Sequence, residues 1–182
     1  MAQVVSSFSA RVEPDSIVIT DAGTFSRWVQ RYYQFTTPRT ALGPISGAMG
    51  YGVPGGLGAA IADSNRTVCV WVGDGGFLMT GQELTTIVQE SLPVKIIVCD
   101  NAAWGSILVH QHKRFPGWDF GTRLASPDFG VLAQGYGVPS FTVRETDEFD
   151  GALEQALEVN GPALIHVHLD PRDLVEFSGS TH

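Results

Sequence analysis

Two short polar segments, each directly after an apolar run, carry the residues best suited to chemistry in this sequence. Asp74 lies in the glycine-rich segment 73–76, and Asn101 follows the next apolar run. The runs 67–72 and 94–99 are mostly apolar and β-branched, which predicts strands buried on both faces of a parallel sheet. Because ligands bind beyond the carboxyl ends of such strands, we expect Asp74 and Asn101 to offer oxygen ligands to a Mg²⁺ ion that bridges to a diphosphate.

A helix is predicted between the two strands. Residues 80–92 carry apolar side chains at the spacing of one helical face. Thr80 is placed to cap this helix, with Glu83 completing a capping box. The glycines before it allow close approach of a ligand, and the N–H groups of Gly75 and Gly76 favour an anion such as phosphate. The whole segment is predicted to form a βαβ unit.

The spacing of these residues resembles the signature of thiamine diphosphate enzymes, which is written as GDG, some two dozen residues, then NN. Here Gly-Asp-Gly is followed, after 24 residues, by Asp100-Asn101. The resemblance implies that Mg²⁺ is bound by Asp74, Asn101 and the carbonyl of Ala103. Asp100 replaces the first Asn of the signature, whereas the metal ligand of the family matches the second, Asn101. The departure therefore concerns fine geometry rather than metal binding.

A second glycine-rich segment strengthens the resemblance. Residues 43–63 contain seven glycines between Gly43 and Gly58, and the interspersed apolar residues predict a packed loop that enters a helix. The segment is similar to the G-x-M-G-[YF]-G-[LV]-P run of the acetolactate synthase group. The resemblance implies that the Gly47 carbonyl accepts a hydrogen bond from the cofactor's 4′-amino group. Met49 would wedge between the two cofactor rings, although a role as ordinary core filler stays open.

The candidate site residues fall into three groups. Cofactor binding is expected at Gly47, Ala48, Met49, Gly73, Asp74, Gly75, Gly76, Asn101, Ala103, Trp104 and Gly105. Metal binding is expected at Asp74, Asn101 and Ala103. By resemblance, the substrate pocket would include Trp104, Ser106, Ile107 and His110, although aromatic and aliphatic residues at helical spacing are more often part of a core.

Composition bounds the architecture and the partners. The chain has 182 residues, of which 43% are hydrophobic and 16% charged, so we expect a single domain, 1–182, with a frayed tail from about residue 174. The fold expected is α/β and three-layered, with a mostly parallel sheet of about six strands and helices on both faces. A net charge of −8 without basic runs argues against nucleic acid and anionic membranes as partners. Without a long apolar stretch or a leader pattern, a cytoplasmic protein is expected.

Three further features admit structural as well as functional interpretations. Asp21 follows a predicted strand and either caps the next helix or lies at the rim of the ligand crevice. His166 and His168 alternate with apolar residues, which favours the polar face of an edge strand over a metal site. Cys69 and Cys99 lie in predicted buried strands and are expected to be inert core thiols.

The resemblance also implies an activity and a missing part. Family members act on 2-oxo acids such as pyruvate, and a Glu on a separate pyrimidine-binding domain, usually from another subunit, activates the cofactor. Glu83 and Glu90 fall on the helix after the GDG segment, and no Glu here is in a position that resembles the activating one. The chain is therefore expected to need a partner domain or subunit in a homo- or hetero-oligomer, and to be inactive in isolation.

Alternative functions remain open from the residues alone. One is a subunit of a split 2-oxo acid decarboxylase of the sulfopyruvate decarboxylase type. The β subunit of a 2-oxoacid:ferredoxin oxidoreductase shares the fold but is disfavoured, because cysteine clusters are missing. Another is a non-catalytic module that keeps the metal and phosphate site. A flavodoxin-like or receiver-type domain with Asp74 as phosphoacceptor fits the Met49 segment poorly.

Overall fold

A parallel β-sheet of six strands forms the centre of the computed structural model, which describes residues 1–170. The strand order is β2-β1-β3-β4-β6-β5, and all neighbouring strands run parallel. In chain order the strands are β1 (Ile17–Thr20), β2 (Ala41–Leu42), β3 (Val68–Gly73), β4 (Val94–Asp100), β5 (Ser140–Val143) and β6 (Ala163–His168).

Residues 1–170 form eight α-helices, of which all but Gly105–Arg114 contribute to the cores on the two faces of the sheet. They are α1 (Ala2–Arg11), α2 (Thr24–Tyr32), α3 (Gly52–Ala62), α4 (Asp74–Thr80), α5 (Leu84–Gln89), α6 (Gly105–Arg114), α7 (Phe129–Gly135) and α8 (Phe149–Glu158). The cores on the two faces involve α1, α2 and α8 on one side, and α3, α4, α5 and α7 on the other. Successive strand residues alternate between these cores, as the period of a β-strand requires. The predicted three-layer α/β fold is therefore confirmed.

The strand order brings the candidate residues to one edge of the sheet. From β1 the chain goes to β2 on one side and then crosses to β3 on the other, so the order reverses between β1 and β3. In open α/β sheets this switch point opens a crevice beyond the carboxyl ends of the strands. Asp21 follows β1 and Asp74 follows β3, and of these two residues Asp74 lines the crevice.

Close approach between α3 and the sheet explains two of the glycines in α3. A Cβ on Gly56 would lie 2.4 Å from Val70 Cγ2, and one on Gly52 would lie 3.2 Å from Asp21 Cβ. Real Cβ atoms are not found as near as the first of these distances, so α3 packs here as bare backbone. The predicted loop entering a helix is confirmed, and the glycines set the depth at which that helix lies.

The helix after the GDG segment begins earlier than predicted. It starts at Asp74 and is interrupted by a 3₁₀ turn at Gly81–Glu83 before α5. Thr80 makes no capping hydrogen bond, and its hydroxyl instead donates to the Gly50 carbonyl at 3.0 Å. The predicted capping box at Thr80 and Glu83 is therefore wrong, because tertiary contact with the segment before α3 takes the hydroxyl.

Two further differences concern the ends of the sheet and of the chain. Strand β2 has only two residues, both exposed, and such a short edge strand lacks the alternating pattern that identifies strands in a sequence. The predicted tail from about residue 174 lies outside the described residues. Within residues 1–170, none of the helices combines the length and the apolar character that a membrane span requires.

Candidate functional site

A cleft of about 450 Å³, partly open to solvent, lies over the carboxyl ends of β1, β3, β4 and β6. Its walls are loops and the first residues of α2, α4 and α6. The lining residues are Ala22, Gly23, Thr24, Phe25, Met49, Gly73, Asp74, Cys99, Asn101, Ala103, Trp104, Gly105, Ser106, Ile107 and Leu169.

Two oxygen atoms converge in this cleft as the sequence predicts. Asp74 is only 4% exposed, and its Oδ2 accepts a hydrogen bond from the Ala103 N–H at 3.2 Å. Asn101 Oδ1 accepts from the same N–H, also at 3.2 Å. Since both oxygens share one donor, the carboxylate and the amide are brought together from the ends of neighbouring strands. Carboxylate and amide oxygens are the ligands that Mg²⁺ uses in proteins.

The carbonyl of Ala103 has capacity for a further partner. It accepts one hydrogen bond, from the Gly105 N–H at 2.8 Å, and a carbonyl oxygen has two lone pairs. The preceding residue, Ala102, has a φ of 51°. This left-handed conformation, uncommon outside glycine, marks a sharp turn between β4 and α6.

A segment of the long loop before α7 holds this turn in place. The Trp104 N–H donates to the Thr122 carbonyl and the Leu124 N–H donates to the Ala102 carbonyl, each at 2.8 Å. We call residues 122–126 the strap. It runs antiparallel to the turn, so it fixes the backbone that carries two of the predicted metal ligands.

The two neighbouring aspartates of the site have opposite electrostatics. Burial raises the pKa of Asp74 to about 6, and the nearby Asp100 carboxylate adds to this rise. Burial also disfavours the Asp100 carboxylate, but hydrogen bonds from His166, Ser126 and the Ala102 N–H outweigh it and lower the pKa of Asp100 to about 2. Within residues 1–170, Asp74 accepts from N–H groups and a hydroxyl but not from an imidazole, and a cation in the cleft would favour its ionised form.

Gly75 and Gly76 are required by close contacts on both sides of α4. A Cβ on Gly75 would lie 2.1 Å from the Trp104 ring, and one on Gly76 would lie 2.6 Å from Asp21 Oδ2. The Gly75 N–H, predicted to bind phosphate, donates here to Asp74 Oδ1 at 2.8 Å. The absence of side chains at these glycines thus lets the Trp104 ring and the Asp21 carboxylate pack directly against the start of α4.

Asp21 organises the second glycine-rich segment and does not cap α2. Its Oδ2 accepts from the Gly50 N–H at 2.9 Å, and its Oδ1 accepts from the N–H groups of Tyr51 at 3.3 Å and Ala22 at 2.7 Å. Helix α2 has Gly23 at its N-terminal boundary and no side-chain cap. The capping interpretation of Asp21 is therefore wrong, and its carboxylate instead ties the Met49 segment to the end of β1.

Met49 lines the cleft and is not core filler. Its side chain is 37% exposed and belongs to the cleft wall. Gly47 and Ala48 precede it in an exposed loop, where Gly47 has a φ of 68° and closes a turn onto the Pro44 carbonyl. A left-handed φ favours glycine at this position. The side chain predicted to contact the cofactor thus lines the same cleft as the predicted metal ligands.

The structure brings most of the predicted site residues together. Met49, Gly73, Asp74, Asn101, Ala103, Trp104 and Gly105 all line the cleft, whereas Gly47, Ala48, Gly75 and Gly76 do not. Of the four substrate-pocket candidates, Trp104, Ser106 and Ile107 line it and His110 does not.

The structure contradicts the edge-strand interpretation of His166 and His168. Strand β6 lies between β4 and β5, and His166 is 1% exposed. Its Nε2 lies 3.0 Å from Asp100 Oδ2. Alternation of polar and apolar residues suggested a solvent-facing strand, but here the polar side chains face a carboxylate at the end of the neighbouring strand.

Sequence reasoning missed the contacts by which Ser126 and His166 position Asp100. Ser126 on the strap donates to Asp100 Oδ1 at 2.8 Å, and it lies 3.4 Å from Asp74 Oδ2. Nothing in the spacing around Ser126 predicts this contact, because the strap is irregular. Asp100 was noted as a departure from the signature, and the buried histidine two strand positions before the end of β6 is its partner.

Comparison with known proteins agrees with this site. Residues 21–167 match the model of a family described as thiamine pyrophosphate enzyme, C-terminal TPP binding domain. The chain therefore belongs to this family and corresponds to its C-terminal cofactor-binding domain. The predicted thiamine diphosphate cofactor is confirmed at the level of the family, whose members normally bind it with Mg²⁺.

Individual relatives are acetolactate synthases and a decarboxylase. The chain is 34% identical over 169 residues to the acetolactate synthase isozyme 2 large subunit of Escherichia coli K12, covering 92% of this chain and 31% of the relative. It is 34% identical over 165 residues to a probable acetolactate synthase large subunit of Methanococcus aeolicus, covering 88% of this chain and 27% of the relative.

A solved structure shares the fold over nearly the whole chain. This is the thiamine diphosphate-dependent 4-hydroxybenzoylformate decarboxylase of Rhodococcus jostii RHA1, with a TM-score of 0.87 and 28% identity. The alignment covers 93% of this chain and 32% of the decarboxylase. The chain thus spans less than a third of the length of the sequence relatives described above, and about a third of this structural one.

Proposed function

We propose that this chain is the diphosphate- and Mg²⁺-binding domain, 1–182, of an acetolactate synthase-like enzyme that acts on 2-oxo acids by decarboxylation, carboligation or both. The observation that carries the proposal is the convergence of Asp74 Oδ2 and Asn101 Oδ1 on one N–H at the strand ends. The names of the relatives span a synthase and a decarboxylase. Their common chemistry, rather than one product, is therefore proposed.

Asp74, Asn101 and the Ala103 carbonyl would hold the Mg²⁺ ion. The raised pKa of Asp74 supports this assignment, because a buried carboxylate without a positive partner gains most from a cation. The Ala103 carbonyl oxygen, which has a lone pair free, would be the third ligand. Because Mg²⁺ also keeps phosphate and water ligands, three protein oxygens are sufficient.

The cofactor would lie along the cleft from α4 to Met49. By the family resemblance, the N–H groups of Gly75 and Gly76 at the start of α4 would contact the diphosphate, and the Gly75 N–H would then exchange its bond to Asp74 Oδ1 for a phosphate oxygen. Met49 would support the rings and the Gly47 carbonyl would orient the 4′-amino group. When bound, thiamine diphosphate supplies a nucleophilic carbon and an electron sink for the loss of CO₂ from a 2-oxo acid. The chain's own residues anchor and orient it, and Trp104 and Ile107 shield the cleft from water.

A partner domain or subunit would complete the site. The activating Glu is expected on a pyrimidine-binding domain, and the name "large subunit" of several relatives denotes one component of a multi-subunit enzyme. Met49 and Ile107 are exposed apolar residues in the cleft wall, and Phe115, Trp118 and Phe120 form a further exposed apolar group beyond α6. Exposed apolar groups of this kind mark protein interfaces. We therefore propose that the chain works in an oligomer.

Calorimetric titration with thiamine diphosphate, with and without Mg²⁺, tests the proposal. The wild-type chain is compared with Asp74→Asn, which keeps the shape and hydrogen-bond acceptor of the side chain but removes its charge. Asp147→Asn is the matched control, because Asp147 is an exposed aspartate remote from the cleft wall. We expect Mg²⁺-dependent binding that Asp74→Asn weakens at least about tenfold, as loss of a metal contact does.

The result that contradicts the proposal is equal Mg²⁺-dependent binding by wild type, Asp74→Asn and Asp147→Asn. If the isolated chain binds no cofactor, the titration is repeated with the pyrimidine-binding partner present. The same order of affinities is expected there, and absence of binding in both settings overturns the proposal.

A further inference from the structure

A second group of metal-ligand side chains lies at the ends of β4 and β6. His166 and His168 are two residues apart on β6 and therefore project on the same face. The strand register pairs His168 with Asp100 and His166 with Val98. One ligand atom from each of Asp100, His166 and His168 lies within 4.8 Å of the others. This arrangement follows from β6 being an inner strand and was not expected from the sequence.

The hydrogen bonds seen in this group leave two buried nitrogen atoms unsatisfied. His166 Nε2 is bonded to Asp100 Oδ2 at 3.0 Å, but His166 Nδ1 and His168 Nε2 have no hydrogen-bond partner among the described residues. The nearest carboxylate oxygen to His166 Nδ1, Asp128 Oδ1, is 3.8 Å away, beyond hydrogen-bond length. Buried polar atoms without partners are rare and costly, and they call for a missing partner.

The contact between the imidazole rings of His166 and His168 does not supply the missing hydrogen-bond partners. Their centroids are 4.0 Å apart at an interplanar angle of 37°, and two imidazolium cations at this distance would repel each other. A neutral imidazole carries one donor and one acceptor nitrogen. Burial lowers the pKa of His168, which favours the neutral form with a free lone pair. That lone pair is what a metal ion binds.

We propose that Asp100, His166 and His168 form a binding site for a first-row transition ion, of which Zn²⁺ is the representative. Two imidazoles and one carboxylate are a common ligand set for Zn²⁺ and related ions, whereas Mg²⁺ prefers oxygen alone. Asp128, whose Oδ1 is close to His166, is the nearest further carboxylate. The proposal is independent of the proposed function, because none of the three residues is assigned there to Mg²⁺ or cofactor.

An ion in this site would join β4 to β6 immediately before Asn101. Asp100 is already bonded to Ser126 on the strap, so the ion would also connect the strap to the inner strands. The site would therefore act as a structural tie beneath the turn that carries Asn101 and Ala103.

Metal retention by the full, untagged chain tests the proposal. Protein stripped by a chelator is loaded with Zn²⁺ in the presence of excess Mg²⁺, which occupies the oxygen site at Asp74, and is then desalted and analysed for zinc. Wild type is compared with His168→Ala, with the more conservative His168→Gln, and with His112→Ala as the control. His112 is an exposed histidine on α6 that is paired with Asp119 and does not belong to this group.

We expect about one Zn²⁺ per chain in wild type and His112→Ala, and affinity at least about tenfold weaker in both His168 variants, since even indirect partners of a metal contribute that much. Replacement of Zn²⁺ by Co²⁺ in wild type should give the visible absorption of nitrogen-ligated cobalt, which requires no variant to fold. Zinc retained equally by the His168 variants, or no stoichiometric zinc and no cobalt absorption in wild type, overturns the proposal.

Discussion

Asp74 and Asp100 end up within one hydrogen-bonded cluster but carry opposite electrostatic roles. Asp74 accepts only N–H groups and a distant hydroxyl, and burial raises its pKa. Asp100 contacts an imidazole and a close hydroxyl, which lower its pKa. The comparison teaches that burial alone does not set the role of a carboxylate. Its hydrogen-bond partners decide whether the pKa of a buried carboxylate is raised or lowered.

The largest effect on stability is expected from removal of Asp100. In the metal-free chain, Asp100→Ala would leave His166 Nε2, the Ser126 hydroxyl and the Ala102 N–H without their acceptor. An unsatisfied buried group costs about 1–3 kcal/mol. His166 is buried, whereas Ser126 and Ala102 are more accessible to water and should cost less, so we expect the unfolding free energy to fall by about 2–4 kcal/mol in urea denaturation.

Asp100→Asn is the matched control, because it keeps an oxygen acceptor and restores the residue that the family signature has at this position. We expect it to cost less than half as much as Asp100→Ala. Equal losses in the two variants would mean that the hydrogen bonds to Asp100 do not account for its contribution.

An intermediate effect is expected from pH, through Asp74. The pKa of this carboxyl is near 4 in the unfolded chain and about 6 in the folded chain. The protonated carboxyl therefore contributes its full stability at pH values below about 4, and this stability is lost as the pH rises through about 6. The unfolding free energy of the metal-free wild type, relative to Asp74→Asn, should therefore fall between pH 4 and pH 7 by on the order of 1–3 kcal/mol.

The test is urea denaturation of both proteins across that pH range, with and without Mg²⁺. Mg²⁺ should recover stability in wild type at pH 7 and should have little effect in Asp74→Asn. A difference between the two proteins that stays constant from pH 4 to pH 7 would contradict the assigned pKa of Asp74.

The smallest effect is expected from Ser126, which touches both aspartates. Because its hydroxyl is close to Asp100 and more distant from Asp74, Ser126→Ala should cost about 1 kcal/mol, the value of one hydrogen bond. The loss should disappear in an Asp100→Ala background and persist in an Asp74→Asn background. Double-mutant cycles of Ser126 with each aspartate measure these coupling energies. Coupling of Ser126 to Asp74 rather than to Asp100 would contradict the prediction.

The fold and the Asp74 half of the site could be predicted because their signals are local. Mostly apolar runs predict β3 and β4, and the GDG segment predicts a ligand at the strand end. Of the seven cleft-lining residues, Gly73, Asp74 and Asn101 belong to the signature and Met49 to the second glycine-rich run, whereas 103–105 follow directly after the signature. Asp74 and Asn101 were therefore identified before their contact through the Ala103 N–H was seen.

The Asp100 half could not be predicted, because its partners are remote in sequence. His166 is 66 positions away, and only the strand order reveals that β6 lies beside β4 rather than at an edge. Ser126 comes from an irregular segment with no periodicity. Local pattern predicts Thr80 as a helix cap and leaves Asp21 as either a helix cap or a residue at the crevice rim, but tertiary contacts with the segment around Gly50 take both side chains.

The most direct test of the central claim is anomalous scattering from Mn²⁺, used in place of Mg²⁺, in crystals of the protein with thiamine diphosphate. The account predicts a strong peak bonded to Asp74, Asn101 and the Ala103 carbonyl, with the diphosphate completing the shell, and Asp100 not among the ligands. A peak bonded to Asp100 instead, or no peak between Asp74 and Asn101 when the cofactor is bound, would contradict it.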